Sequence, residues 1–123
     1  MVANKTVLVI EDNEMNMKLA RSLLQIGKYN VLEAFDAENG IQLAREHHPD
    51  LILMDIQLPG MDGLTATLKI KNDPAVKDIT VVALTSYAME GDEKKAMDAG
   101  CAGYIAKPID TRSFLETLGQ FLV

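Results

Sequence analysis

Three carboxylates, a hydroxyl and an ammonium stand at the ends of short apolar runs in this chain. Val7-Leu8-Val9-Ile10 leads into Glu11-Asp12, and Leu51-Ile52-Leu53-Met54 into Asp55. Val81-Val82-Ala83-Leu84 leads into Thr85, and Tyr104-Ile105-Ala106 into Lys107-Pro108. An unbroken apolar run of this length reads as a strand buried on both faces. Such a strand has no reason of its own to finish on a carboxylate. Taken singly, Asp12 reads as a helix N-cap, Asp55 as a loop residue and Lys107 as a solvated surface lysine. Their shared position at run ends is what a chemical role explains.

If the runs lie in one sheet, Glu11, Asp12 and Asp55 place three negative charges on one rim. Two unit charges about 4 Å apart repel by about 1 kcal/mol in water and roughly 4 kcal/mol at an effective dielectric of 20. Lys107 offsets one charge, and a divalent cation would offset the other two. Ligands that are all oxygen favour a hard ion, Mg²⁺ by preference or Mn²⁺. A cation beside a carboxylate, with a lysine and a hydroxyl nearby, is what phosphoryl transfer needs. The carboxylate attacks in line, and the positive groups take up charge on the equatorial oxygens.

The elements that must position these groups follow from the alternation of patterns. A fifth apolar run, Val31-Leu32-Glu33-Ala34, joins the other four, and helix-length segments separate them. Asn13 caps the first helix and Gly27 stops it. Asp36 caps the second, and Pro49 follows its end. Gly63 opens the third, and Asn72-Asp73-Pro74 closes it. Gly100 ends the fourth. Asp110 caps the fifth, whose Phe114, Leu118 and Phe121 share one face. Strict βα alternation predicts a parallel sheet with helices on both sides. The wholly apolar runs one, three and four belong at its centre. Run two, with Glu33, and run five, short and beside Gly103, belong at the edges. Right-handed crossovers then predict the strand order 2-1-3-4-5, a flavodoxin-like (βα)5 three-layer sandwich. Chemistry in such sheets sits beyond the carboxyl ends of the strands, where the winding reverses. Here that is between strands one and three.

Composition narrows the functional class. The chain has 123 residues, 48% of them hydrophobic and only 5% aromatic, enough for one aliphatic core. No repeat or linker divides it, which predicts one domain over residues 1–123 with no output domain attached. The net charge is −6, and no basic cluster stands out, which argues against nucleic-acid and anionic-membrane partners. No run approaches the roughly 20 apolar residues needed to span a bilayer. No basic, then apolar leader opens the chain, so a cytoplasmic protein is expected. The single Cys101 excludes an internal disulfide, and with two adjacent histidines it cannot build a thiolate zinc site.

The acidic pair Glu11-Asp12, Asp55 in "LMDIQLPGMDG", Thr85 in "VVALTSYA", and Tyr104 with Lys107-Pro108 in "GYIAKPI" occur in one order, each at a strand end. In this the whole chain resembles the receiver domains of two-component response regulators, the CheY-like family. Through "EDNEMNMKL", "DLILMDIQLP" and "YAMEGDE" it is most similar to the DivK-type single-domain regulators, with hybrid-kinase receivers sharing much of the wording. The resemblance implies that Asp55 accepts a phosphoryl group from a histidine kinase or histidine phosphotransferase. It implies that Asp12, Asp55 and the backbone carbonyl of Gln57 bind Mg²⁺, with Glu11 holding it mainly through water. Lys107 would bind a phosphoryl oxygen, ahead of a cis bond to Pro108. Thr85 would move onto the phosphoryl group and Tyr104 would turn inward. The surface of the fourth helix, fifth strand and fifth helix would change for a downstream protein target. Members of the family are not turnover enzymes, although they phosphorylate themselves from acyl phosphates and lose the group again. A monomer, or at most a weak dimer, is expected, and a role toward cell-cycle kinases follows from the DivK likeness alone.

Other residues are read more plainly. Met15 and Leu19 lie off the inward face set by Met17, Ala20 and Leu24, and form the expected kinase-docking patch. The fourth helix should pack shallowly, since Met89 and Ala96 are nearly its whole apolar stripe and Gly91 sits in its first turns. Ser86 is expected to cap that helix. Cys101 reads as a small buried filler. His47 and His48 suit a helix C-terminus and are given no part in phosphotransfer. Three rivals stand beside the receiver reading. An aspartate-nucleophile phosphatase of the haloacid dehalogenase type wants an acid where Gln57 stands. A flavodoxin wants a hydroxyl- and Gly-rich loop where "EDNEMN" stands. A degenerate receiver would act only as a protein-binding module.

Overall fold

The computed structural model describes residues 4–85 and 92–122. Its elements alternate as β1 (Thr6–Ile10), α1 (Glu14–Ile26), β2 (Asn30–Ala34), α2 (Ala37–His47), β3 (Leu51–Asp55), α3 (Gly63–Lys71), β4 (Thr80–Thr85), α4 (Asp92–Ala99), β5 (Gly103–Ala106) and α5 (Phe114–Phe121). The five strands form one parallel sheet of order β2-β1-β3-β4-β5, the flavodoxin-like arrangement expected. Among the described residues, no helix is long and apolar enough to cross a membrane.

The period of two along a strand divides the core. Leu8, Ile10, Ile52, Met54, Val81 and Ala83 face one side, under α2, α3 and α4. Val7, Val9, Leu51, Leu53, Val82 and Leu84 face the other, under α1 and α5. Strands β1, β3 and β4 are therefore apolar on both faces and buried on both. The edge strands carry the polar exceptions. Glu33 of β2 is bonded by Arg21 of α1 at 2.9 Å, and Tyr104 of β5 lies exposed.

Among the described residues, side-chain caps start three helices. Asn13 accepts from the Asn16 N–H, Asp36 from the Asn39 N–H and Asp62 from the Thr65 N–H, at 3.0, 2.8 and 2.8 Å. Gly63 is the first residue of α3 as expected, and the Asp62 cap before it is an addition. The cap expected at Asp110 is corrected. Helix α5 begins only at Phe114, after a turn, and Asp110 instead accepts the Arg112 N–H within that turn, at 2.9 Å. At the end of α1, Gly27 has an ordinary φ of −77°, and it is Lys28 that takes the left-handed conformation, φ 66°. Gly27 still ends the helix as its C-cap, and its bare Cα also serves close packing, since a Cβ there would meet the Leu115 side chain at 2.7 Å. Helix α4 buries only Ala96 and Ala99 among its described side chains. Ser86, Met89 and Gly91 lie outside the described residues.

One glycine bears directly on the rim. A Cβ on Gly63 would stand 2.1 Å from the Asp55 carbonyl oxygen and 2.7 Å from Ile56 Cα. Both are backbone atoms that cannot step aside. Gly63→Ala should therefore lower stability by about 1–3 kcal/mol and shift the backbone resonances around Asp55. Gly119→Ala in α5, where nothing lies within 4 Å of the new methyl, should be neutral or stabilising by about 0.5–1 kcal/mol. Urea unfolding of both variants reads the contrast.

Candidate functional site

The sheet order brings the predicted groups together. Strands β1 and β3 are neighbours, so Glu11 and Asp12, just beyond β1, flank Asp55 at the end of β3. Thr85 closes β4 next to them. The ladder runs on past the strands: the Lys107 N–H donates to the Thr85 carbonyl at 2.7 Å and the Ile56 N–H to the Leu84 carbonyl at 3.1 Å. These bonds fix where the side chains start. From the far edge, Lys107 reaches back across β4. Its Nζ lies 2.7 Å from Glu11 Oε1 and 3.1 Å from Asp55 Oδ2.

Burial makes these charges strong. Glu11, Asp55 and Thr85 are 1%, 2% and 2% exposed, while Asp12 faces solvent. Asp55 Oδ1 accepts the Gln57 N–H at 2.9 Å, so both Asp55 oxygens are engaged. Glu11 is less well served. Its Oε2 is buried with no hydrogen-bond partner, alone in this among the described side chains. Burial, and after it the neighbouring Asp55 carboxylate, push the Glu11 carboxyl up to about 7. For Asp55, burial acts upward too, but the Glu11 carboxyl, the Gln57 N–H and the Lys107 ammonium outweigh it and hold it below the usual range.

A cation fits this deficit. Glu11, Asp12 and Asp55 each offer an oxygen, all within 4.8 Å of one another. The partnerless Glu11 oxygen is the kind of group that an ion or its water would satisfy. The donors are all oxygen, which suits a hard divalent ion.

The remaining predicted residues fall as follows. The Lys107–Pro108 bond is cis. Tyr104 is 40% exposed, and the Glu93 carboxylate of α4 beside it pushes the phenol upward. Met15 stands 82% exposed, but Leu19 is only partly free and packs against the α1–α5 half of the core. Met15 alone is the clear apolar projection of that pair. His48 caps α2, with its ring 3.1 Å from Asp78, and neither histidine is among the rim residues. Cys101 is buried as expected, yet its Sγ lies 3.9 Å from the Thr67 hydroxyl. Thr67 is a buried polar residue with no counterpart in the sequence reading. A threonine inside a helix carries no signal of its own.

These features define a class, and the chain belongs to it: it is a member of the response regulator receiver domain family, whose model matches residues 7–119. It is 47% identical, over 96% of both chains, to the polar-differentiation response regulator DivK of Brucella ovis. Its fold is similar to the receiver domain of the sensor histidine kinase PA1611 from Pseudomonas aeruginosa, solved with a magnesium ion in the active-site cleft. That likeness has a TM-score of 0.89, at 30% identity over 98% of each chain. It is also similar, with a TM-score of 0.87 and 25% identity over 98% of this chain and 90% of the other, to a structure from Saccharomyces cerevisiae. There the phosphotransfer protein Ypd1 is bound to the receiver domain of the response regulator Ssk1.

The ion pairs give a pH signature to the metal-free protein. The folded state holds Glu11 at about 7 against an ordinary 4.5, so it binds more protons between those values. Stability from this group is full below 4.5 and falls as pH rises through about 7. Asp55 acts oppositely, its contribution disappearing only as pH falls through its lowered value, below 3.8. Lys107→Met leaves two buried carboxylates without their cation. In EDTA it should lose about 3 kcal/mol of stability at pH 8, and clearly less at pH 5, where Glu11 takes up a proton. Equal losses in urea titrations at the two pH values would contradict this charge assignment.

Proposed function

We propose that the chain is a phosphoacceptor receiver working as a single-domain response regulator. Asp55 accepts a phosphoryl group from the phosphohistidine of a kinase or phosphotransferase. The observation that carries this reading is the Lys107 ammonium held between Glu11 and Asp55, beside a buried carboxylate oxygen that nothing satisfies. Asp12, Asp55 and the Gln57 carbonyl would hold Mg²⁺ directly, and Glu11 through water. The bound cation would neutralise charge on the phosphoryl oxygens during transfer.

This chain's own groups do the rest. An Asp55 carboxylate oxygen forms the bond to phosphorus as the donor's N–P bond breaks. The Gln57 N–H and the low proton affinity of Asp55 keep the nucleophile ionised. Lys107 is placed to turn from the carboxylates to a phosphoryl oxygen. The product carries roughly −1.5 to −2 of added charge. Thr85, at the end of the neighbouring strand, hydrogen-bonds it, and Tyr104 turns inward from its exposed position. The face of α4, β5 and α5 changes in consequence. A shift from 1:99 to 99:1 needs about 5.5 kcal/mol, whereas one charge-assisted hydrogen bond supplies about 1.5–3 kcal/mol. The free phosphoprotein is therefore only partly switched, and a protein target completes the change. Met15, with Leu19 behind it, is the kinase-facing patch. The DivK likeness points to kinases that govern the cell cycle as partners, in the cytoplasm, with no turnover chemistry beyond loss of the phosphoryl group.

Intact mass after incubation with acetyl phosphate tests the reading. One added phosphoryl group is expected with Mg²⁺, and none with EDTA or in Asp55→Asn. Asp12→Ala, an exposed residue whose loss leaves the core untouched, should fold normally yet need far more Mg²⁺. Modification of Asp55→Asn, or indifference to EDTA, would remove Asp55 and its cation from the chemistry.

A further inference from the structure

Four polar or charged residues among those described are buried: Glu11, Asp55, Thr67 and Thr85. Three belong to the rim, and Thr67 does not. It lies on α3, fully buried, on the face shared with Gly63, Ala66 and Ile70. An alanine would occupy that face with no hydroxyl to satisfy. The Thr67 hydroxyl donates instead to the Gly63 carbonyl, one turn back, at 2.7 Å. Back-bonding of this kind bends a helix and slightly weakens it, so α3 gains nothing from it.

What it holds is informative. Gly63 is the residue whose missing Cβ lets α3 press on the Asp55–Ile56 peptide, and its N–H donates to the Ile56 carbonyl at 3.3 Å. On the other side of Thr67, Cys101 Sγ stands at 3.9 Å, within reach of a weak thiol hydrogen bond. The Cys101 N–H donates to the Ala96 carbonyl of α4 at 3.0 Å, and the next N–H, of Ala102, to the Val81 carbonyl at 2.8 Å. A continuous line of contacts thus runs from the end of α4 through Cys101, Thr67 and Gly63 to the backbone of Asp55. It passes through the interior on the α3 side and uses neither Thr85 nor Tyr104.

We propose that Thr67 is a positioning residue for Asp55, acting through Gly63, and that Cys101 ties this support to the turn between α4 and β5. The proposal rests on the reading of Asp55 as phosphoacceptor. The Thr67 hydroxyl sets the tilt of the first turn of α3, and so where the Asp55 backbone rests relative to Lys107 and Asp12. Misplacing a reacting group by about 1 Å costs about 100-fold in rate, so the smaller shift allowed by losing one hydroxyl should cost roughly three- to tenfold.

The test is the initial rate of phosphorylation by acetyl phosphate at saturating Mg²⁺, with a thermal melt for each variant. Thr67→Val and Thr67→Ala should be slowed roughly three- to tenfold, and Thr67→Ser, which keeps the hydroxyl, should stay within about twofold of the unaltered protein. The Ser–Ala pair differs by one oxygen and decides the matter even if the Val variant does not fold. A Val or Ala variant at the unaltered rate would overturn the proposal. So would a Ser variant as slow as Ala, which would make the methyl's packing responsible. Cys101→Ala should be slowed at least about twofold, and an unchanged rate would sever the tie to α4. If the unaltered protein takes up no phosphoryl group at all, the phosphoacceptor reading itself fails, a result distinct from any of these.

Discussion

The site depends on one lysine. Lys107 brings a single positive charge to two buried carboxylates, close to Glu11 and a little farther from Asp55. Taking ions out of water costs several kcal/mol each, and a pair recovers this only with good geometry and further hydrogen bonds. Asp55 has those bonds and stays ionised. Glu11 does not: one oxygen is left without a partner and its proton affinity rises. The rim is thus balanced on the Asp55 side and short of positive charge on the Glu11 side. That asymmetry keeps Asp55 ionised and leaves beside it a place where a cation is favoured.

The sheet order makes the arrangement possible. With β1 and β3 adjacent, the two acids start from neighbouring strands and cannot avoid each other. Lys107 comes from the edge and must cross β4 to reach them, which its four-carbon stem allows. The central strands are wedged between two apolar half-cores. Dense packing of that kind does not relax to separate like charges. The acids stay together because the strands beneath them cannot move.

Most of this was legible in the sequence because two independent patterns coincide. The unbroken runs of β1, β3 and β4 marked central strands, and Glu33 marked an edge, where it pairs with Arg21. The strand order then placed Glu11, Asp12, Asp55, Thr85 and Lys107 on one rim. What escaped depends on contacts distant in sequence or on backbone geometry. The fit of Gly63 against the Asp55 carbonyl is invisible until α3 is laid on β3. The partnerless Glu11 oxygen follows from how far Lys107 reaches, which spacing does not reveal. Asp110 has the residue type of a cap, but the chain makes a turn before α5 and the cap is spent there. Leu19 read as surface because the helical period divides a helix into two faces, whereas α1 packs on the sheet and sideways against α5 and so buries a wider arc.

Helix α4 is held to the core by the small side chains of Ala96 and Ala99, and so buries little apolar area per residue. Glu93 of α4 also lies near the Tyr104 hydroxyl of β5 and pushes the phenol upward. An inward turn of Tyr104, as the proposed switch has it, would take its hydroxyl away from Glu93. Under the proposed switch, shallow packing would keep the energetic difference between two positions of α4 small. A local event at Asp55, worth only a few kcal/mol, would then suffice to shift the balance between them. A deeply packed α4 would have made the same charge at Asp55 inconsequential at the surface.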